Sequence, residues 1–372
     1  MGRIPHEQLA GLQAMQAASM DDVVRCAPLW RRLGVGAGQV LWPRGQVVHE
    51  LGILLKGQVV LQLHGETVIS LGPGAILGEE GAFFHALEHS IDVVATTDAA
   101  VATLPSHQLR ALREARSTVY ESLVRASTAS IVRRVRASSL AIAQAAQHDA
   151  EAPGRQEVSA LVGLWRKLVP GGPKTECPPL VPLLRQQPGI EHAPPEAVMA
   201  LTGSFERQAV SEGEVVFLEG ERGDAMYLIA AGSIDVLRHV RGGAKRLVTL
   251  GPGAQFGCNA LVEPGPRTAS CVAKGPGWLY RISAEAFRSP PRGAGVIWWE
   301  SVLHNLADQA RRSDSNLAEA LALASPEPTS EADSFKQLLD ASGFRNVGDI
   351  HTSELAEVEV GYSDEQIRNW RN

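Results

Sequence analysis

The stretch LGPGAQFGCNALVEPGPRTASCVA, Leu250 to Ala273, decides the fold, because its first five residues are written twice in the chain. The other copy, LGPGAILGEE, runs from Leu71 to Glu80, 179 positions earlier. Upstream, Gly38, Gly45 and Gly57 align with Gly213, Gly220 and Gly232 at an offset of 175, so the second copy gains four residues before the repeated phrase. The gain falls in a hairpin. SIDVLRHVRGGAKRLVTLGPG is two alternating, β-branched runs joined by Gly242-Gly243, a pair that tolerates positive φ. QVVLQLHGETVISLGPG has the same pieces around a tighter turn at Gly65. Short strands at regular spacing with Gly-rich turns predict an antiparallel β-barrel or sandwich in each copy. A period this long marks duplicated domains, since solenoid periods are far shorter.

Helical stretches flank each β-region. From Ser106 to about Ala150 the chain has no Gly and no Pro, and Val119, Leu123, Ser127, Ile131 and Val135 make a narrow seam, which predicts one or two helices. After the second copy, Trp299, Leu303, Leu306, Ala310, Leu317 and Leu321 keep a helical spacing. PGGPKTECPPLVPLLRQQPG between the copies is dense in proline and reads as a loop or extended linker. Beyond Ala324, SPEPTSEAD opens a second linker, followed by short helical patterns. The predicted organisation is a first domain with a trailing basic helix at 1–149, a helix and Pro-rich linker at 150–193, a second domain with a C-terminal helix at 194–323, and an acidic tail at 324–372.

With 372 residues, 44% hydrophobic, there is material for two cores of ordinary size. A formal net charge of −6 gives no overall push toward nucleic acid or an anionic membrane. Cys26, Cys177, Cys258 and Cys271 show no CxxC spacing and no disulfide framework, which fits a reducing compartment. MGRIPHEQLA lacks an apolar signal region, and no uninterrupted apolar run reaches the length of about 18 residues that could span a bilayer, so a cytoplasmic protein is expected. The sequence places no nucleophile, base and orienting group together, so no enzyme is expected.

Gly72-x-Gly74-x-x-x-Gly78 has one residue too many for a dinucleotide fingerprint, and it follows a hairpin strand where a βαβ unit is required. The surrounding residues point elsewhere. Glu219-Gly220, Gly223-Asp224, Tyr227, Gly232, Phe256-Gly257 and Pro266-Arg267-Thr268-Ala269 resemble the pattern of the cyclic-nucleotide-binding domain family, represented by catabolite activators and, in tandem, by kinase regulatory subunits. The resemblance covers about 194–288 well. About 35–112 matches mainly through Gly57, LGPGA and Gly78-Glu79.

The resemblance implies α+β, mainly β, architecture: two antiparallel β-barrel (jelly-roll) domains with flanking α-helices. It also implies a phosphate cassette in which an arginine and nearby N–H groups hold a cyclic phosphate while a glutamate binds the ribose. A guanidinium forms paired charge-assisted hydrogen bonds to phosphate, and a carboxylate accepts from a hydroxyl. Carried over, the second copy's ligand-binding candidates are Gly257, Cys258, Asn259, Ala260, Arg267, Thr268 and Ala269, with Arg267 as the phosphate arginine and Cys258 where the glutamate is expected. The first copy is a degenerate pocket of Gly78, Glu79, His89 and Ser90: Glu79 matches the ribose residue, but His89 stands at the arginine position. Losing the ribose hydrogen bond costs about 1.5–3 kcal/mol, roughly 10- to 100-fold in affinity. Losing the arginine is worse, because a phosphate charge would enter a partly dry pocket unpaired. The second copy is therefore expected to bind cyclic AMP or cyclic GMP weakly, or a related anion, and the first not to bind.

Other signals carry less. His85-Ala86-Leu87-Glu88-His89 spells HxxEH, a zinc-peptidase pattern when on a helix, but it falls in the cassette loop and no metal is expected. Cys258 and Cys271 read as small buried residues. Ser106–His148 holds seven arginines against Glu114 and Glu121, a balance of +5, and Asp314–Asn372 holds twelve acids against four bases, a balance of −8. Either the acidic stretch docks on the basic helix, or both are solvated faces that never meet. SELAEVEVGYSDEQIRNWRN loosely resembles a helix-turn-helix, but Asp364 and Glu365 would open its recognition helix and repel phosphates.

The expected function is a non-catalytic sensor or scaffold that meets a protein partner, or a second copy of itself, through helices 106–149 and 294–323, with the helix around Trp298–Leu306 closing over a bound base. The alternatives are a purely structural interaction module that binds no nucleotide, and a DNA-binding regulator.

Overall fold

The computed structural model describes residues 3–84, 87–145, 172–173, 175–240 and 243–324. The first copy builds eight strands: β1 (Arg31–Val35), β2 (Val40–Trp42), β3 (Glu50–Lys56), β4 (Val59–Leu63), β5 (Glu66–Leu71), β6 (Ile76–Leu77), β7 (Asp92–Ala95) and β8 (Ala99–Pro105). The second builds β9 (Glu206–Val210), β10 (Val215–Phe217), β11 (Ala225–Ala231), β12 (Ile234–Val240), β13 (Gly243–Leu250), β14 (Gln255–Phe256), β15 (Ser270–Ala273) and β16 (Gly277–Ser283). The hydrogen-bonded orders are β1-β8-β3-β6 with β2-β7-β4-β5, and β9-β16-β11-β14 with β10-β15-β12-β13. Strand for strand, these are the same antiparallel jelly-roll twice, as the repeat predicts. Each interior is lined by alternate side chains from both sheets: Trp42, Leu54, Leu63, Ile91 and Val101 in the first, Phe217, Tyr227, Ile229, Phe256 and Leu279 in the second.

The hairpins carry the four-residue difference. His64 and Gly65, at φ 52° and 83°, turn β4 into β5 with Leu63 opposite Glu66. β12 and β13 are each two residues longer, and Val240 pairs with Gly243. Gly243 therefore belongs to the strand, and Gly242 lies outside the described residues. In both copies the repeated phrase is one turn, with Gly74 N donating to Leu54 O (2.7 Å) and Gly253 N to Ile229 O (2.8 Å).

Ten α-helices, with 3-10 turns at Gln13–Met15 and Ala27–Leu29, complete the described residues: α1 (His6–Ala10), α2 (Met20–Cys26), α3 (Glu79–Phe83), α4 (Ser106–Glu114), α5 (Thr118–Ala145), α6 (Leu180–Arg185), α7 (Pro195–Thr202), α8 (Asn259–Val262), α9 (Ala284–Arg288) and α10 (Gly295–Ala324). The stretch after Ser106 is two helices, broken at Arg116, whose φ of 52° ends α4 without a glycine. The seam of α5 is buried as read: Val119, Leu123, Ser127, Ile131 and Val135 are all at most 2% exposed. The proline-dense linker contains more order than expected. Pro179 caps α6 and Pro182 sits in its first turn, where N–H groups have no intrahelical partner, while Leu180, Leu183 and Leu184 are buried.

α5 and α10 pack on each other, and one hydrophobic cluster draws on both copies, including Leu123 and Ile131 of α5, Trp298 and Leu303 of α10, Met226 and Phe287. Trp299, Leu303, Leu306 and Ala310 are thus covered within the chain. No helix among the described residues is long and apolar enough to cross a membrane.

Candidate ligand pockets

In the second copy, β14 runs into Gly257 at φ 82°, and a Cβ there would lie 2.8 Å from Arg267 Nη1. Glycine is what lets the arginine pass. Arg267 is 3% exposed. Its Nη1 donates to Gly257 O (2.6 Å) and its Nη2 to Ala225 O (2.7 Å) and, at 3.4 Å, to Asp224 Oδ1. The guanidinium carbon lies 3.9 Å from the centre of the Phe217 ring, a face that attracts a cation. Burial pulls the guanidinium's pKa down, against the pull of Tyr227 and Asp224. Its Nε has no hydrogen-bond partner among the described residues.

All seven candidates of this copy, Gly257, Cys258, Asn259, Ala260, Arg267, Thr268 and Ala269, line a single cavity of about 490 Å³, within the ordinary range for a small-molecule pocket. The ribose-glutamate position is apolar in character: burial pushes the Cys258 thiol up to about 12, so it is uncharged at physiological pH. The sequence reading missed the far wall, which comes from Arg238 of β12, from Ser139 and Ile142 of α5, and from Asn305, Gln309 and Arg312 of α10. The segment of α10 that lines the cavity thus begins at Asn305. Of the Trp298–Leu306 stretch expected to cover the site, only Asn305 reaches the cavity; its large apolar residues face the core instead, with Trp298 edge-on to Phe205 and Phe287, because large apolar rings gain more from full burial than from a cavity rim.

The first pocket is filled by protein. Only about 20 Å³ remains, beside Gly78, Glu79, Glu80, His89 and Arg134. Arg134 of α5 enters it, its Nη2 donating to Glu80 Oε1 (2.6 Å) and its Nε lying 3.6 Å from Asp314 Oδ2 of α10. Ser90 donates from Oγ to Asp314 Oδ2 (2.8 Å), and Ser138 from Oγ to Asp314 Oδ1 (2.8 Å). Burial opposes charge on Arg134, but Glu80, Asp314 and Glu79 outweigh it and hold the guanidinium pKa up. Burial would raise Glu80, yet Arg134 holds it below the usual carboxylate range. Glu79 differs: burial dominates and raises it. His89, 5.7 Å from the Trp42 ring, is lowered by burial and is neutral.

Glu80, Arg134 and Asp314 were not read from the sequence as parts of this pocket. A doubled Glu79-Glu80 was the one local signal; the others arrive from helices remote in sequence. Of the HxxEH pattern, His85 lies outside the described residues, and no group of three or more metal-ligating side chains is assembled among the described residues. Most arginines of the basic stretch find partners within the chain. Arg113 pairs with Glu300, Arg125 with Glu121, Arg133 with Glu263 and Arg134 with Glu80, while Arg136 donates to Asn259 O and Glu263 O. Asp314, the first acid of the acidic stretch, does reach that basic stretch; residues 325–372, including the helix-turn-helix-like segment, lie outside the described residues.

Several known proteins are similar to parts of this chain. The chain is 31% identical over 186 residues to a CRP-like cAMP-activated global transcriptional regulator of Mycobacterium tuberculosis, covering 48% of this chain and 80% of that protein. It is 40% identical over 82 residues to the cyclic AMP receptor protein of Thermus thermophilus, covering 22% of this chain and 38% of that one. Among solved structures, the regulatory domain of Toxoplasma gondii PKA with cAMP aligns over 82% of this chain and 94% of its own, at 15% identity and a TM-score of 0.30. The family model of the cyclic nucleotide-binding domain matches twice, at residues 33–116 and 207–289. Those two spans are the two jelly-rolls and their cassettes, and the chain belongs to the cyclic nucleotide-binding domain family.

Proposed function

We propose that this chain is a non-catalytic, cytoplasmic sensor whose second copy binds a cyclic nucleotide, cyclic AMP or cyclic GMP, and whose α10 carries the bound state to a protein partner. The observation that supports this most is the contrast between pockets: about 490 Å³ beside Arg267 and Thr268 in the second copy against about 20 Å³ in the first. A ligand that prefers one placement of α10 would shift the population of that placement, since Asn305, Gln309 and Arg312 of α10 line the cavity. The names of the relatives, a cAMP-activated regulator and a cyclic AMP receptor, support the ligand class.

One observation favours the second reading, a scaffold that binds no nucleotide. Arg267 gives its outer nitrogens to Gly257 O and Ala225 O, and its neighbour Cys258 offers a neutral thiol. Thermal unfolding with about 1 mM cyclic AMP or cyclic GMP, on the wild type and on Arg267→Ala, separates the two. A ligand at about 100 times its Kd stabilises the native state by about 2.7 kcal/mol. A rise in Tm that vanishes in the variant supports the sensor; no rise with either nucleotide leaves the scaffold.

A further inference from the structure

We propose that the first copy is a carboxylate-binding site which the chain occupies in cis with its own Asp314. Three groups converge on that carboxylate: the Ser90 and Ser138 hydroxyls each donate to it at 2.8 Å, and the Arg134 guanidinium, which hydrogen-bonds Glu80, faces it as a charge with Nε 3.6 Å away. Asp314 is 2% exposed, Ser138 is fully buried and Arg134 is 6% exposed. Burying a carboxylate this deeply is favourable only with polar partners around it: here two hydroxyls and a cation shared with Glu80.

The duplication shows what Asp314 stands in for. Ser90 is the counterpart of Thr268, and Arg134, 178 positions before Arg312, is the counterpart of Arg312. Thr268 and Arg312 both line the open cavity of the second copy. In the first copy the space between the same two positions is taken by Asp314 and Glu80. The site therefore kept its donors, and a side chain of α10 became its ligand. Besides its apolar packing on α5 and Leu317 in the first core, α10 is tied to the first copy by two carboxylates, Glu300 through Arg113 and Tyr120, and Asp314 through Ser90 and Ser138. Between these two residues lie Asn305, Gln309 and Arg312, so filling the first site fixes one wall of the second.

Chemical rescue in the full chain tests this. Asp314→Ala removes the carboxylate and leaves its donors, and formate has the matching charge and size. Its Tm is expected to fall, and formate is expected to restore it more than chloride of equal ionic strength, with no comparable gain in the wild type or in Asp314→Ala combined with Ser90→Ala and Ser138→Ala. Equal responses of wild type and variant to formate, or an unchanged Tm, would overturn the proposal. Should the alanine variant not fold, Asp314→Asn keeps the shape. Hydrogen exchange over α10 beyond Ala310 is then expected about 10- to 100-fold faster, the loss of one charge-assisted contact, while exchange matching the wild type overturns the proposal. No nucleotide enters either measurement, so a second cavity that binds none leaves the result intact.

Discussion

Gly257 and Arg267 decide the shape of the second pocket between them. With φ at 82° and Arg267 Nη1 2.8 Å from where a Cβ would stand, Gly257→Ala is expected to cost about 1–3 kcal/mol, seen as a lower denaturant midpoint. Cys258 and Cys271 are both pushed up to about 12 by burial, so their thiolate is scarce at pH 8. Alkylation of the native chain is expected at Cys177, the one cysteine that is not buried, with Cys258, Cys271 and the buried Cys26 reacting on unfolding; fast native labelling of Cys258 would contradict its burial. Glu79 gives a pH dependence of definite sign. Its folded pKa is raised from 4.5, so its contribution is full below that value and is lost as pH rises through the folded pKa. Glu79→Gln, which resembles the protonated acid, is expected to gain stability over the wild type progressively as pH rises, read as a Tm difference that shrinks toward pH 4. Arg267 was legible because its family pattern, Pro266-Arg267-Thr268-Ala269, is local, although Ala225 and Phe217, which hold it, come from other strands. Asp314 was not, because Ser90 is 224 positions away and a lone aspartate on a polar helical stretch carries no mark of its partner.

Elements were legible where periodicity was strong. The α5 seam and the hairpins follow from spacing alone, since a period of 3.6 or 2 puts apolar residues on one face. The break at Arg116 and the short α6 were not. One needs a non-glycine residue at positive φ, and the other a proline tolerated in a first helical turn whose leucines are buried. α10 depends on contacts with the first copy in the same way. Glu300 accepts from Arg113 Nη2 at 2.8 Å and from Tyr120 at 2.6 Å while only 8% exposed. Glu300→Gln should destabilise by about 1–3 kcal/mol, at the lower end because the Arg113 side chain is 48% exposed and water can take over part of its pairing. Unfolding in denaturant measures it; a change below about 0.5 kcal/mol would mean the contact is surface decoration.

At the scale of the whole molecule, the duplication was plain in the sequence, but the joining of the copies was not, because contacts between separate segments leave no period. One hydrophobic cluster takes Leu123, Met226, Phe287, Trp298 and Leu303 together. Calorimetry is accordingly expected to show one transition for both jelly-rolls, with calorimetric and van't Hoff enthalpies in agreement; two resolved transitions would mean that the shared cluster does not couple them. The crossing of α5 and α10 has a further consequence. Arg136 of α5 reaches the second copy's cassette helix, and Asp314 of α10, 178 positions later, reaches the first. Two identical chains joined in this manner would need a certain abundance to associate, and every change in one would appear in its twin. A tandem chain escapes both constraints: its halves meet at a high effective concentration however dilute the protein, and each half is free to mutate alone. That freedom is what allows one pocket to be sealed with the chain's own side chains while its sister stays open.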